Sequence, residues 1–193
     1  MNSGMNAIDL LVGHHRRLED LFEKAMDATE DSERGRCFTE AADLLMAHMT
    51  IEERHFYPAV KAKRTEDVLL EGLEEHLSLK RVLADLVEMT TKDEKFEPKL
   101  HVLKEQAEHH HEEEEEHLFP KVKKLFDEET LTSLGAEMEA TMKELAQKKP
   151  REAVLGQTEE SAELPDGEAL TTREEKKEQE KNAQENARKR KAA

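Results

Sequence analysis

The sequence predicts an all-α fold: a bundle of four long helices, a short fifth helix, and a disordered C-terminal tail. Three observations carry this. The 193 residues are 39% charged and only 4% aromatic, with 7 Gly, 5 Pro and no Trp, a composition that suits helices and argues against a sandwich or barrel. Apolar residues recur at alternating steps of 3 and 4 in four successive segments. Finally, HMTIEERHFYP (His48 to Pro58) aligns without gaps on HHEEEEEHLFP (His110 to Pro120), so the helices come as two related hairpins.

Each element follows from its own signals. Asn6 is a good N-cap for a first helix whose inward stripe is Ile8, Leu11, His15, Leu18, Phe22 and Ala25. A second helix is expected from about Ser32 to about Lys63, with Phe38, Ala41, Leu45, His48, Glu52, His55 and Ala59 inward. Thr65 is placed to cap the third, which has Glu66 and Asp67 in its first turn and a stripe of Leu69, Gly72, His76, Leu79, Leu83 and Leu86. Pro98 suits the first turn of the fourth, lined by Leu100, Leu103, Ala107, His110, Glu114 and His117. The fifth runs from about Glu128 to Gln147.

The chain divides into a body, 1–147, and a polar tail, 148–193. The tail holds 11 of the 30 bases and 11 of the 46 acids, so the whole net charge of −16 falls on the body. So acidic a body excludes phosphate-backbone binding and an anionic membrane surface, and no partner is expected among nucleic acids or membranes. After Pro150 the tail offers only Val154, Leu155, Leu164 and Leu170 as large apolar residues, too few to offset the entropy of ordering. Its removal is therefore expected to leave the body intact. The terminal ARKRK run, 187–191, reads as a solubilising end, with no protein partner specified. No stretch of 18 apolar residues and no basic leader occurs, and the single Cys37 suits a reducing compartment, so a cytoplasmic location is expected.

The chemistry lies in the polar residues of the apolar stripes. A lone histidine there is an ordinary core residue, but here each of the four helices carries one. Burying Glu52 or Glu114 without a partner would cost several kcal/mol. His and Glu at i, i+4 share one helix face, so the repeat converges four histidines and two glutamates. Imidazole and carboxylate without thiolate suit iron, manganese or zinc. Six ligands exceed the four of a structural zinc, so two metals are the better count. Carboxylates on facing helices can bridge such a pair. His14, His109 and His111 flank the stripes and are expected to be exposed, and His101 to lie on the surface. His55 and His117 fall a turn beyond the site plane. Glu53 and Glu115 are placed either to orient ligand imidazoles or to face solvent. Tyr57 reads as a core aromatic and Cys37 as an inert buried thiol.

These residues resemble the hemerythrin-like HHE cation-binding family over roughly residues 6–146. The resemblance is carried by NAIDLLVGHHRRLEDLFE (6–23), HMTIEERHFYPAV (48–60), EEHLSLK (74–80) and LKEQAEHHHEEEEEHLFPKVKK (103–124). It implies an up-and-down four-helix bundle around a non-haem di-iron centre. On it, His15 and His48 would hold one iron, His76 and His110 the other, and Glu52 and Glu114 would bridge them. The implied function is to bind or react with dioxygen, peroxide or nitric oxide. The alternative is a non-catalytic iron-binding, storage or sensing module acting through a partner. Two positions depart from the oxygen carriers of the family. Lys80 stands where a fifth histidine is found, and His14 where an Asp is usual. A lysine ammonium does not ligate at neutral pH, so that position is left to water, peroxide or oxygen, which favours redox turnover over reversible carriage.

Overall fold

A computed structural model describes residues 5–62, 64–164 and 170–192, with side chains described up to residue 184. The described residues hold no strand. Helix α1 (Ala7–Asp27) begins at Asn6, whose side chain accepts from the Asp9 N–H at 3.0 Å, as the sequence predicts. Helix α2 (Asp31–Ile51) is followed by α3 (Tyr57–Val60), α4 (Glu66–Val87), α5 (Phe96–Glu113), α6 (Phe119–Leu125) and α7 (Glu128–Leu145). Short connections force neighbouring helices antiparallel, giving the up-and-down bundle. Around it α1 packs on α2 and α5, and α4 packs on α5 and α2.

The two long stripe helices do not run through as single α-helices. Between α2 and α3, and again between α5 and α6, one turn widens to a π-helix, over Glu52–Phe56 and Glu114–Leu118. The Tyr57 N–H reaches the Glu52 carbonyl, and the Phe119 N–H reaches that of Glu114. Each widened turn precedes a proline, Pro58 or Pro120, which brings no N–H and would clash with the carbonyl four residues back. The expected second helix, Ser32 to Lys63, is therefore corrected to α2, a π turn and α3, and Lys63 lies outside the described residues.

One further expectation changes in detail, and the fifth predicted helix starts at Glu128 as expected. Thr65 precedes α4 but makes no side-chain cap. Its hydroxyl instead accepts from the Ala62 N–H at 2.9 Å and donates to the Val60 carbonyl, closing the preceding turn. The cap of α7 is Asp127, which accepts from the Thr130 N–H at 2.9 Å.

The disordered tail is corrected over its first part. Pro150–Gly156 forms a 3-10 helix that lies across α2 and α4, with Val154 fully buried against the core. The Arg151 guanidinium pairs with Asp43 of α2, and Arg81 of α4 donates to the carbonyls of Thr158 and Glu159. Leu164 and Leu170 rest on the opposite end of the bundle, and the Leu170 N–H donates to the Ala59 carbonyl at 2.8 Å. Beyond it, α8 (Arg173–Ala192) is a solvated helix tied down by Lys176, which reaches Asp127 and Thr130. The side chains of the basic 187–191 run lie outside the described residues.

The apolar interior is split in two. One cluster runs from Leu18 and Phe22 through Leu45, Leu83 and Leu100 to Val154. The other gathers Ile8, Leu11, Phe56, Leu69, Phe119, Leu131 and Met138. Between them lies a polar layer.

Candidate metal centre

That layer is made of the six stripe residues. His15 on α1, His48 on α2, Glu52 at the first π turn, His76 on α4, His110 on α5 and Glu114 at the second π turn are each at most 2% exposed. Glu52 faces both halves, with one oxygen 3.3 Å from His48 Nε2 and the other 3.3 Å from His76 Nε2. Glu114 lies 3.4 Å from His15 Nε2 and 4.0 Å from His110 Nε2. Each carboxylate thus stands between one histidine of each hairpin, the position from which it can bridge two ions.

Outer carboxylates fix which nitrogen points inward. His15 Nδ1–H donates to Glu115 at 2.8 Å, His76 Nδ1–H to Glu53 at 2.9 Å, and His110 Nδ1–H to Glu75 at 2.7 Å. Of the two roles open to Glu53 and Glu115, the geometry is that of imidazole acceptors. In each case the Nε2 lone pair is turned into the layer, as in metal-bound histidines. The Nε2 atoms of His76 and His110 are 3.0 Å apart, two lone pairs face to face. That separation matches two nitrogens at right angles on one ion with bonds of about 2.0–2.1 Å.

The buried polar atoms supply the fit test. His15 Nε2, both His48 nitrogens, both Glu52 oxygens and Glu114 Oε2 are out of contact with solvent and without a hydrogen-bond partner. Native interiors rarely leave such groups unpaired, and here the orphans converge on two points. His15, His48, Glu52 and Glu114 bring ligand atoms within 4.8 Å of one another, as do Glu52, His76 and His110. The electrostatics agree. Burial and the charge of Glu114 push Glu52 well above the usual carboxylate range. Burial works on Glu114 too, but His15, His110 and His76 outweigh it and hold that carboxyl down to about 2. Without a cation the two carboxylates are forced into different protonation states.

The His76 side of the layer has additions of its own. Tyr57 donates to Glu114 Oε1 at 2.9 Å and stacks on His76, with ring centres 5.5 Å apart. Burial and Glu114 raise its phenol well above 10, so it keeps its proton. Tyr57 is therefore a core aromatic that also touches the site. Its repeat counterpart, Phe119, stacks on His15 and offers no hydroxyl. Lys80, 3% exposed, holds Glu53 at 2.7 and 2.9 Å.

Among the flanking residues, His109 is exposed as expected, His14 is partly buried, and His111 overturns its expectation. His111 is 2% exposed and near parallel to His15 with ring centres 4.0 Å apart, and both its nitrogens are buried without a partner. It forms a further possible metal group with His15 and His48. Sequence reasoning missed it because a straight 3.6 period turns position 111 a full 100° from His110. Glu75 was missed as well, although it immediately precedes His76. His55 and His117 stay outside the layer: His55 binds the Thr141 hydroxyl at 2.9 Å, and His117 pairs with Glu113 at 3.1 Å. The extra residue in each π turn rotates them off the stripe. Cys37 is buried and free.

Comparison with known proteins agrees with this geometry. The crystal structure of a hemerythrin HHE cation-binding domain-containing protein from Mycobacterium kansasii is similar, at 26% identity and a TM-score of 0.67, covering 79% of this chain and 99% of that one. No curated protein matches the chain. The family model of the hemerythrin HHE cation-binding domain matches residues 6–122, most of the chain and a span that includes all six stripe residues, and the chain belongs to that family.

Proposed function

We propose that this protein is a non-haem di-iron member of its family that binds or reacts with dioxygen, peroxide or nitric oxide. The observation that carries the reading is the convergence of six buried, mostly unpartnered ligand groups from four helices and two π turns. His15 and His48 would hold one iron, His76 and His110 the other, and Glu52 and Glu114 both. Manganese or zinc could occupy the same donors. Bound there, a pair of irons would supply redox change and a place for a small diatomic or peroxide ligand.

The chain's own residues do the rest. Glu53, Glu75 and Glu115 hold the Nδ1 protons and keep each Nε2 aimed inward. Tyr57 keeps a hydroxyl proton beside Glu114 on the His76 side, and the two apolar clusters keep water from the layer. Lys80, tied to Glu53, supplies no ligand, which supports turnover over reversible carriage. The free Cys37 fits a reducing, cytoplasmic setting.

Anaerobic loading with ferrous iron tests this. The expected result is two irons per chain, a marked rise in melting temperature, and on mixing with air or peroxide an oxidation with no long-lived oxygen adduct. Glu52→Ala or Glu114→Ala should lose the paired site, whereas Glu113→Ala, half exposed and paired with His117, should keep it. Equal metal content in all three variants would overturn the bridging assignment. A stable, reversible oxygen adduct would return the protein to carriage.

A further inference from the structure

The repeat makes its own control, because equivalent positions of the two hairpins can be compared. Position 111 corresponds to 49, and position 19 to 80. In the first hairpin position 49 is a methionine, fully buried in the core, and the cleft beside the Lys80–Glu53 pair, about 390 Å³ and bordered by residues from 156–162, has no histidine in its lining. The equivalent cleft of the other side lies between α1 and α5. It is a cleft of about 250 Å³ whose floor is His111. Both clefts carry carboxylates, but the α1–α5 cleft adds a buried imidazole where the other has the Lys80 ammonium.

The mouth of that cleft is acidic beyond its ion pairs. Glu19 and Glu115 share Arg16, and Glu108 is matched by Lys104. Glu112 and Glu116 are exposed and form no ion pair among the described residues. At the floor, both His111 nitrogens lack a partner, and the ring belongs to a possible metal group with His15 and His48. Yet His111 and His15 lie 7° from parallel and stacked. An imidazole lone pair lies in its ring plane, so one ion cannot sit in both planes at once. His111 can hold a cation, and His15 can hold it, but in this arrangement only in succession.

We infer that the α1–α5 cleft is the port through which divalent metal ions reach the centre, with Glu112 and Glu116 drawing them in and His111 passing them to His15 and His48. The inference rests on the metal-centre reading above. A cleft of net negative charge focuses the field and raises the arrival rate of cations by about 10 to 10³, while the destination is set by other residues. The port therefore governs the rate of loading and leaves the final count alone.

Loading kinetics of the full chain, stripped with chelator and mixed with cobalt(II) chloride, test this through the visible absorption of bound cobalt. Glu112→Gln with Glu116→Gln should slow uptake on the order of tenfold at low salt, the difference shrinking as salt is raised, with two cobalt ions bound at the end. Glu139→Gln with Glu144→Gln, which removes the same charge from α7, should load at the unaltered rate. His111→Met, which copies position 49, should load slowly at every salt concentration and still reach two. Uptake by the cleft variant as fast as by the α7 variant would overturn the port. One cobalt fewer in His111→Met would make His111 a standing ligand and overturn its role as carrier. No uptake by the unaltered chain would overturn the metal centre itself.

Discussion

Lys80 and Glu53 form a buried pair whose carboxylate also holds His76, so a surface-type residue has become part of the site's support. Removing one partner of a buried pair strands the other charge. Lys80→Met should therefore cost the metal-free chain about 3 kcal/mol, read from the urea midpoint, with Lys80→Arg retaining most of it. The histidines predict a pH profile. Burial and neighbouring histidines hold His48 and His111 well below their usual 6.5 and His14 down to about 4, and burial also lowers His76. Two groups move the other way. Glu52 is raised well above 4.5 by burial, and Glu75 and Glu114 carry His110 above 6.5 against its burial. As the pH falls below 6.5 the unfolded chain therefore takes up protons on these four histidines more readily than the folded chain does, against the opposite pull of Glu52 alone. Stability falls with pH there, by about 1.4 kcal/mol per pH unit for each uncompensated proton. Above 6.5 it is the folded chain that keeps a proton, on His110, so the gain stops. The melting temperature of chelator-treated protein should peak near neutrality and drop steeply below pH 6.5, and a flat profile would refute neutral buried histidines. At this scale the burial and convergence of the six stripe residues were legible, because a polar residue at an apolar position announces itself. His111 and Glu75 were not, since both neighbour a stripe residue and their burial depends on which way a bundle helix is rolled.

The order of the long helices was legible, and Asn6 marked the first helix start as it should. The π turns were not. Pro58 and Pro120 are plain in the sequence, but a proline inside a helical pattern can kink, end or widen it, and only the packed bundle selects widening. The N-terminal half of α1 shows how tightly α7 is seated. A Cβ on Gly135 would lie 2.4 Å from the Met5 carbonyl oxygen and 2.8 Å from the Ala7 nitrogen, and backbone cannot step aside. Gly135→Ala should therefore destabilise by about 3 kcal/mol, with hydrogen exchange in α7 rising first. Gly13→Ala, in the middle of α1 with nothing within 4 Å, should be neutral or gain up to about 1 kcal/mol from helix propensity. Equal effects would show that α7 is not held by this close approach.

For the whole molecule, the boundary drawn at residue 147 followed average composition, and averages hide single anchors. Val154 is one apolar residue in a polar stretch, yet it is fully buried, and the chain around it is held by Asp43 and Arg81 at its backbone and by Glu74 at the Ser161 hydroxyl. Ending the chain after Gln147 should cost about 2 kcal/mol or more, the worth of a buried valine, whereas ending it after Thr172 should cost less than about 1 kcal/mol, since α8 buries little. Denaturant unfolding of the two truncations separates them, and identical midpoints would mean that Val154 contributes nothing. The same strap has a second consequence. It spans α2 and α4, the two helices that bring His48 and His76 to Glu52. Strap and ions thus select one spacing of the same two helices, and they are linked functions. Whatever the docked segment adds to the affinity for metal, bound metal returns, to the same free energy, as affinity for the segment.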